Sequence, residues 1–519
     1  MALHAGSVLA RDGDYQGPPL NRVSRLLSAG HGGQVLLSQT VLELARDRLP
    51  PGAFPWDLGT HRLKDLLEPE RIWQLVHPEL PDDFPPLATL DARPHNLPLQ
   101  PTPFLGRERE VAQVVARLRD PQIRLLTLTG PGGMGKTRLG LQAAAEVVES
   151  FPDGVWFVPL APVRDPTLLP AAVAEVLGVR EEGARPLAEV VASFLHEKRL
   201  LLVLDNLEHL LPAGASAVGA LLTAAPGLTV LATSRAPLRL RAEREHGVLP
   251  LPLPRRQPPP TADQLNLYEA VRLFVERALA VQPSFAVTNE NAPAVAEICH
   301  RLDGLPLAIE LAAARVRLLP PQALLARLEQ RLPLLTGGAL DAPARQQTLR
   351  EAMAWSYDLL TLDEQKLFRR LAVFVGGFDL AAADAVVGSP RSGELGLDVL
   401  DGVERLARHS LLRQEEGRGG EPRFAMLATI REYGLEQLAA SGEADEARQR
   451  HAAFFLTLAE NAASAFMRME HQNWLERFEA DHDDLRAALE WALGREPETA
   501  LALAGALKDF WFVRGHLSE

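Results

Sequence analysis

One octapeptide restricts this chain more than any other feature. Gly130-Pro131-Gly132-Gly133-Met134-Gly135-Lys136-Thr137 follows the apolar run Leu125–Thr129 and opens a helical pattern. A strand, a glycine-rich turn ending in Gly-Lys-Thr and a helix, in that order, make a phosphate-binding loop. Glycines let backbone N–H groups turn toward a phosphate without a Cβ clash. The helix N-terminus adds its positive dipole end. Lys136 would reach the β- and γ-phosphates, the Thr137 hydroxyl would bind Mg²⁺, and Arg138 completes the segment. ATP or ADP with Mg²⁺ is therefore the expected cofactor set.

Two further strand ends agree. The run Leu200–Leu204 ends in Asp205, a carboxylate that a parallel sheet would bring beside the loop as a second Mg²⁺ ligand. Its bland alternative is a helix-capping Asp; the loop about 70 residues earlier favours the metal role. Asn206 follows where a fast ATPase would place a carboxylate to orient water. Asn is a poor base, so hydrolysis is expected to be slow. Glu208 could substitute, but a charged residue there reads first as a solvated face. The strand ValLeuAlaThrSerArg ends in Arg235, aimed at the crevice where open α/β sheets bind ligands. It is the candidate γ-phosphate sensor.

Around this motif the chain reads as several domains. Its 519 residues suit three or four of them. Residues 1–78 read as a small α/β piece with too few strands to stand alone, hence the tail of a larger domain. Residues 79–101 are Pro-rich and polar, a linker composition. Residues 102–250 alternate strands and helices, which means a parallel sheet covered on both faces. The breaker LeuProLeuProArgArgGlnProProPro at 251–260 opens a helical domain over 251–335, its helical pattern running from Leu267 to about Leu334. Residues 340–440 read as helices followed by a hairpin, a winged helix. Residues 441–519 are amphipathic helices that stop in mid-pattern, so both ends are expected to be truncated. The aromatic cluster Phe510, Trp511, Phe512 is expected to be packing surface left exposed there.

Charge and cysteine content narrow the partners. The formal net charge is −13, and only five lysines occur, one of them Lys136. That argues against broad nucleic-acid binding, which needs a basic face. Cys299 is the sole cysteine, so no intrachain disulfide forms, and a reducing cytoplasmic setting is expected. No run of about 18 uncharged apolar residues reads as a membrane span.

At this point the sequence resembles a known family. PheLeuGlyArgGluArgGlu at 104–110, the phosphate loop, LeuLeuLeuValLeuAspAsn, AlaThrSerArg and GlyLeuProLeuAlaIleGluLeu at 304–311 occur in the order of NB-ARC-type ATPases. These belong to the signal-transduction ATPases with numerous domains, STAND, and the chain looks most like bacterial members in LuxR- and SARP-type regulators. The resemblance spans about residues 102–440. It implies a nucleotide-binding domain, an ARC-type helical domain and a winged helix closing over ADP or ATP. Leu105 and Arg107 would flank the adenine end, and Pro306 would pack on the nucleotide. The family's Met-His-Asp motif aligns with Met426-Leu427-Ala428, so its histidine is replaced; Arg423 or His409 is left to take that part. Relatives continue into tetratricopeptide-like repeats, some with a DNA-binding helix-turn-helix.

Residues 1–78 resemble the C-terminal part of class III adenylate/guanylate cyclases. By that likeness Asp14 would select the purine, Asn21 position the ribose and Arg25 hold the transition-state phosphate. The family's metal carboxylates have no counterpart here, so cyclase activity is not expected.

The sequence thus favours a slow Mg-dependent ATPase acting as a signalling switch, with a protein or small-molecule inducer on the C-terminal helices and self-association on activation. The alternatives are the regulatory part of a cyclase, a regulator reading DNA through the winged helix, and a metabolic P-loop enzyme. No membrane partner is expected, and direct DNA binding is not.

Overall fold

The apolar runs that flank the phosphate loop form a sheet buried on both faces. A computed structural model describes residues 1–519 apart from 12–13, 62, 64–65, 67–68, 83, 86, 88–92, 101, 182–184, 257–260, 329–330, 336–346, 389–395, 418–420, 467–470 and 515–519. Two compact units result, one of residues 1–129 and 136–247, the other of 130–135 and 248–519.

The first unit holds two main sheets. Strands β1 (Ala2–Leu3), β4 (Leu36–Ser38), β5 (Phe54–His61) and β6 (Glu70–Val76) make a mixed sheet in the order β1-β4-β6-β5, with β2 (Leu9–Arg11) and β3 (Asp14–Gln16) paired separately. The helix Pro18–Ala29 packs Leu26 and Ala29 against Leu36 and Ile72. The strand β5 has no counterpart in the sequence reading; Pro55 and Gly59 interrupt its alternation, and a register shift falls between Asp57 and Gly59.

The larger sheet is parallel throughout, in the order β11-β7-β10-β9-β8. Its strands are β7 (Leu125–Thr129), β8 (Val155–Pro159), β9 (Leu201–Asp205), β10 (Thr229–Thr233) and β11 (Glu243–Gly247). Leu125, Leu202, Leu204, Val230 and Ala232 share one core with Val173, Val191 and Val218 from the helices above. Charged β11 escapes sequence reading because it lies at the sheet edge, where GluArgGluHisGly needs no apolar run. The expected linker is partly structured as well. The Val155 N–H donates to the Pro94 carbonyl at 3.1 Å, and Asn96 brackets Phe157, accepting from its N–H at 2.5 Å and donating to its carbonyl at 2.8 Å. Residues 94–97 therefore cover the free edge of β8.

Among its described residues, the second unit is helical apart from one hairpin and its loops. Helices Glu269–Val281, Ala292–Arg301, Pro306–Ala313 and Pro321–Arg327 come first. Helices Leu349–Asp358, Leu362–Leu371, Leu380–Val387 and Val399–Arg408 then lead to β12 (Arg413–Glu416) and β13 (Pro422–Ala425), an antiparallel pair, and to the helix Ala428–Ser441. Helices Ala444–Phe466, His471–Ala480, His482–Arg495 and Pro497–Arg514 follow. Phe510 is buried against Phe478, with ring centroids 5.4 Å apart, so only part of the aromatic cluster is exposed; Phe512 is the residue left in solvent.

Polar groups join these helical segments where apolar packing alone would not fix an orientation. The Asp303 carboxylate accepts from the Thr429 N–H at 3.0 Å and the Thr429 hydroxyl at 3.2 Å, capping the helix Ala428–Ser441 from another segment. That helix lacks a side-chain cap of its own because Leu427 stands at its start. Farther along, fully buried Asp484 accepts from the N–H groups of Val375 and Gly376 at 2.6 and 2.9 Å and pairs with His451 at 3.1 Å. Arg423 contacts Asp481 at 2.6 Å and donates to the Gly377 carbonyl. Arg423 thus belongs to this joint, a structural place beside the part that the family's histidine takes. Replacing Asp484 by Ala would leave two N–H groups and the buried His451 ring without their acceptor. We expect a loss of about 3 kcal/mol, read by calorimetry as a lowered melting transition of the full chain.

Candidate nucleotide site

The loop itself is built on backbone conformations that only glycine adopts cheaply. Gly130, Gly133 and Gly135 have φ of 148°, 78° and 84°. A Cβ on Gly133 would stand 2.9 Å from the Leu307 side chain, and one on Gly130 would stand 3.0 Å from the Val248 carbonyl. The Leu307 N–H donates to the Gly133 carbonyl at 3.2 Å. Leu307 follows Pro306, which opens the helix Pro306–Ala313, so the GlyLeuProLeu segment and the loop glycines are brought together. Gly304 has φ of 66°, and a Cβ there would lie 2.4 Å from the Leu251 carbonyl. Pro131, Gly132 and Met134 complete the loop, Met134 buried.

The first unit supplies the charged and hydroxyl groups. Lys136 and Thr137 begin the helix Lys136–Glu146. Thr137 Oγ1 donates to Asp205 Oδ1 at 2.7 Å, and Thr233 Oγ1 donates to the same oxygen at 2.6 Å. The Asn206 N–H donates to Thr233 Oγ1 at 2.9 Å. One carboxylate at the end of β9 thus ties together the loop helix and the end of β10. Burial pushes the Asp205 carboxyl above its ordinary range; the two threonine hydroxyls pull the other way, Glu208 adds to the rise, and Lys136 opposes it. Asn206 adopts a left-handed φ of 71°, and its buried Nδ2 has no hydrogen-bond partner among the described residues. Within the first unit, that orphaned donor suits a phosphate oxygen, and the hydroxyl–carboxylate oxygen pair suits Mg²⁺, whose preferred ligands are oxygens.

The remaining sequence candidates separate. Arg235 is buried and its Nε contacts Glu208 Oε1 at 3.1 Å. Glu208 is equally buried, which corrects its reading as a solvated face. Arg138 donates to the carbonyls of Thr102 and Pro103 at 2.8 and 2.9 Å and stands 6.0 Å over the Phe104 ring. Its side chain therefore fastens the preceding segment. Arg107 is buried with a left-handed φ of 62° and pairs with Glu110 at 3.3 Å, beside half-buried Leu105. Asn21 and Arg25 lie one turn apart on Pro18–Ala29, away in sequence and sheet from this site; the Asp14 side chain lies outside the described residues. His409 ends the helix Val399–Arg408.

These features define a class: a P-loop NTPase of the STAND type joined to a winged helix. A profile described as novel STAND NTPase 1 matches residues 99–266, and one described as a winged helix-turn-helix domain matches residues 360–439. The uncharacterized protein Rv0894 of Mycobacterium tuberculosis is 39% identical over 350 residues, which are 67% of this chain and 85% of that protein. The chain belongs to the family of that protein, with a STAND NTPase domain followed by a winged helix-turn-helix. A second M. tuberculosis protein, Rv0890c, named as an HTH-type transcriptional regulator, is 43% identical over 399 residues, 77% of this chain. The chain spans only 43% of that longer relative. Among solved structures, the STAND protein with a tetratricopeptide repeat sensor PH0952 from Pyrococcus horikoshii aligns over 78% of this chain and 58% of that one, at 14% identity and a TM-score of 0.28. That score is too low to bear on the site. No described helix is long and apolar enough to cross a membrane.

The shared acceptor at Asp205 generates a prediction. Thr233→Val removes a donor to Asp205 and the acceptor of the Asn206 N–H. We expect a stability loss of about 1–3 kcal/mol and weaker Mg²⁺-dependent nucleotide binding, measured by thermal melting with and without Mg·ADP.

Proposed function

We propose that the chain is the nucleotide-responsive part of a signal-transduction ATPase of the NB-ARC kind. Residues 130–137 take the phosphates of ATP or ADP, and Thr137 with Asp205 hold Mg²⁺. The observation that carries the reading is the direct Thr137–Asp205 contact at 2.7 Å, an oxygen pair at the head of the loop helix. Bound Mg²⁺ would offset the charge on the transferring phosphoryl group. Lys136 supplies the cation for the β- and γ-phosphates, and Arg235 senses the γ-phosphate. Leu105, Arg107 and Pro306 shape the base end, and the Arg138 backbone continues the loop helix. Asn206 can hold a water but cannot take its proton efficiently, so turnover is slow. A switch requires only that its states differ in affinity for ATP and ADP.

The nucleotide-binding domain spans 102–250, the ARC-type domain 251–335, the winged helix 340–440 and the tetratricopeptide-like helices 441–519. Asp303 capping the helix at Thr429 supports a closed arrangement without the family's histidine, because the side chains of Leu427 and Ala428 have no polar atoms. Residues 1–78 are a segment like the C-terminal part of class III cyclases. The helix before the wing, Val399–Arg408, carries Asp401 and Glu404, and its Arg405 and Arg408 are paired with Glu364 and Glu404. That pairing favours a structural role for this winged helix. The name of the relative Rv0890c favours DNA as the output of the longer protein.

The test is the nucleotide retained by the purified chain. Released by denaturation and identified by chromatography, ADP near one equivalent is expected from the wild type. Lys136→Ala should weaken binding by about tenfold or more and come out empty. A wild type that is empty and takes up no added Mg·ATP contradicts the reading.

A further inference from the structure

One buried charge of the first unit, Glu208, remains unexplained by phosphate or metal binding, and it is paired with Arg235. Glu208 lies three residues beyond Asp205, and Arg235 lies two residues beyond Thr233. Asp205 and Thr233 are hydrogen-bonded across neighbouring parallel strands, so the Glu208–Arg235 pair sits just past that bond at the C-terminal edge of the sheet. The two residues are 8% and 5% exposed. Ions so buried persist only when paired, because removing either from water alone is costly. The pair meets that need incompletely: Glu208 Oε2 is buried and has no hydrogen-bond partner among the described residues.

We infer that Glu208 is a positioning residue that competes with the γ-phosphate for Arg235, and so sets the preference of this site for ATP over ADP. The inference rests on the nucleotide reading above. Without a γ-phosphate, Arg235 pairs with the buried anion Glu208. With ATP present there are two candidates for one guanidinium. Moving Arg235 toward phosphate would strip Glu208 of its counter-ion, and the carboxylate already lacks one partner. ATP therefore binds against the ion pair, whereas ADP leaves it intact. A Mg²⁺ ion held by Asp205 and Thr137 would place a compensating positive charge near Glu208, which already influences the Asp205 carboxyl. The exchange is thus tied to the metal. No bond to phosphorus is made or broken in it.

The test is equilibrium titration of the full chain with Mg·ADP and with Mg²⁺ plus a non-hydrolysable ATP analogue. Glu208→Gln keeps the shape and removes the charge, so Arg235 is released. The affinity ratio of analogue to ADP should rise by about fivefold or more, with ADP affinity unchanged. Arg235→Lys, which lacks the guanidinium fork, should lose the analogue preference. Glu208→Asp retains the charge one methylene farther back and should give an intermediate ratio; it decides the matter should the Gln variant not fold. A ratio equal to the wild type in the Glu208 variants, or equal weakening of both nucleotides, overturns the inference while leaving nucleotide binding intact. A wild type that binds neither ligand overturns the nucleotide reading and this inference together.

Discussion

Asp205 Oδ1 is the atom on which the first unit's candidate chemistry depends. It accepts from Thr137 and Thr233 at once, at 2.7 and 2.6 Å, and so fixes the loop helix against the ends of two strands. Burial works against its charge, as the upward displacement of its carboxyl shows. A carboxylate held in that way is prepared for a cation: Mg²⁺ would supply the positive charge that the protein gives only in part. Thr233 extends the arrangement by accepting from the Asn206 N–H and so holds Asn206 in its left-handed backbone conformation. The same geometry carries Glu208 and Arg235 to the rim as a buried pair.

In the second unit the loop glycines meet the GlyLeuProLeu turn through backbone rather than side chains. Gly133 and Gly304 both occupy left-handed conformations, and a Cβ at either would strike a neighbour. The carbonyl of Gly133 is held by the Leu307 N–H, and the Leu251 N–H is held by the Gly304 carbonyl at 2.9 Å. Asp303, next to Gly304, caps the helix at Thr429. One short turn therefore touches the phosphate loop on one side and the winged-helix segment on the other. The joint around Asp484 continues that connection to the C-terminal helices. Each contact is polar and directional, so it can be exchanged as a unit rather than deformed gradually.

Much of this was legible in the sequence where local chemistry is decisive. Gly130 to Thr137 had to be a turn between strand and helix, and apolar runs such as Leu201–Leu204 had to be buried strands. Asp205 followed from its place at a strand end. Other features depend on contacts distant in sequence. Glu208 reads as solvated because nothing local announces Arg235, 27 residues later. Arg138 looks like part of the phosphate loop, yet its guanidinium serves carbonyls 35 and 36 residues earlier. The strand β11 is charged because an edge strand need bury little, and Pro94–Leu97 reads as linker because proline hides its pairing with β8. The cap at Thr429 was invisible because Asp303 comes from a different helical segment.

The central claim, that the Thr137–Asp205 contact is the metal end of a nucleotide site, is tested most directly by a crystal structure of the full chain grown with Mg²⁺ and a non-hydrolysable ATP analogue. The account predicts phosphates on the backbone N–H groups of 130–137 and Mg²⁺ between Thr137 Oγ1 and the Asp205 carboxylate. Phosphates bound elsewhere, or an Asp205 still bonded to Thr137 and Thr233 with the metal at other residues, would contradict it.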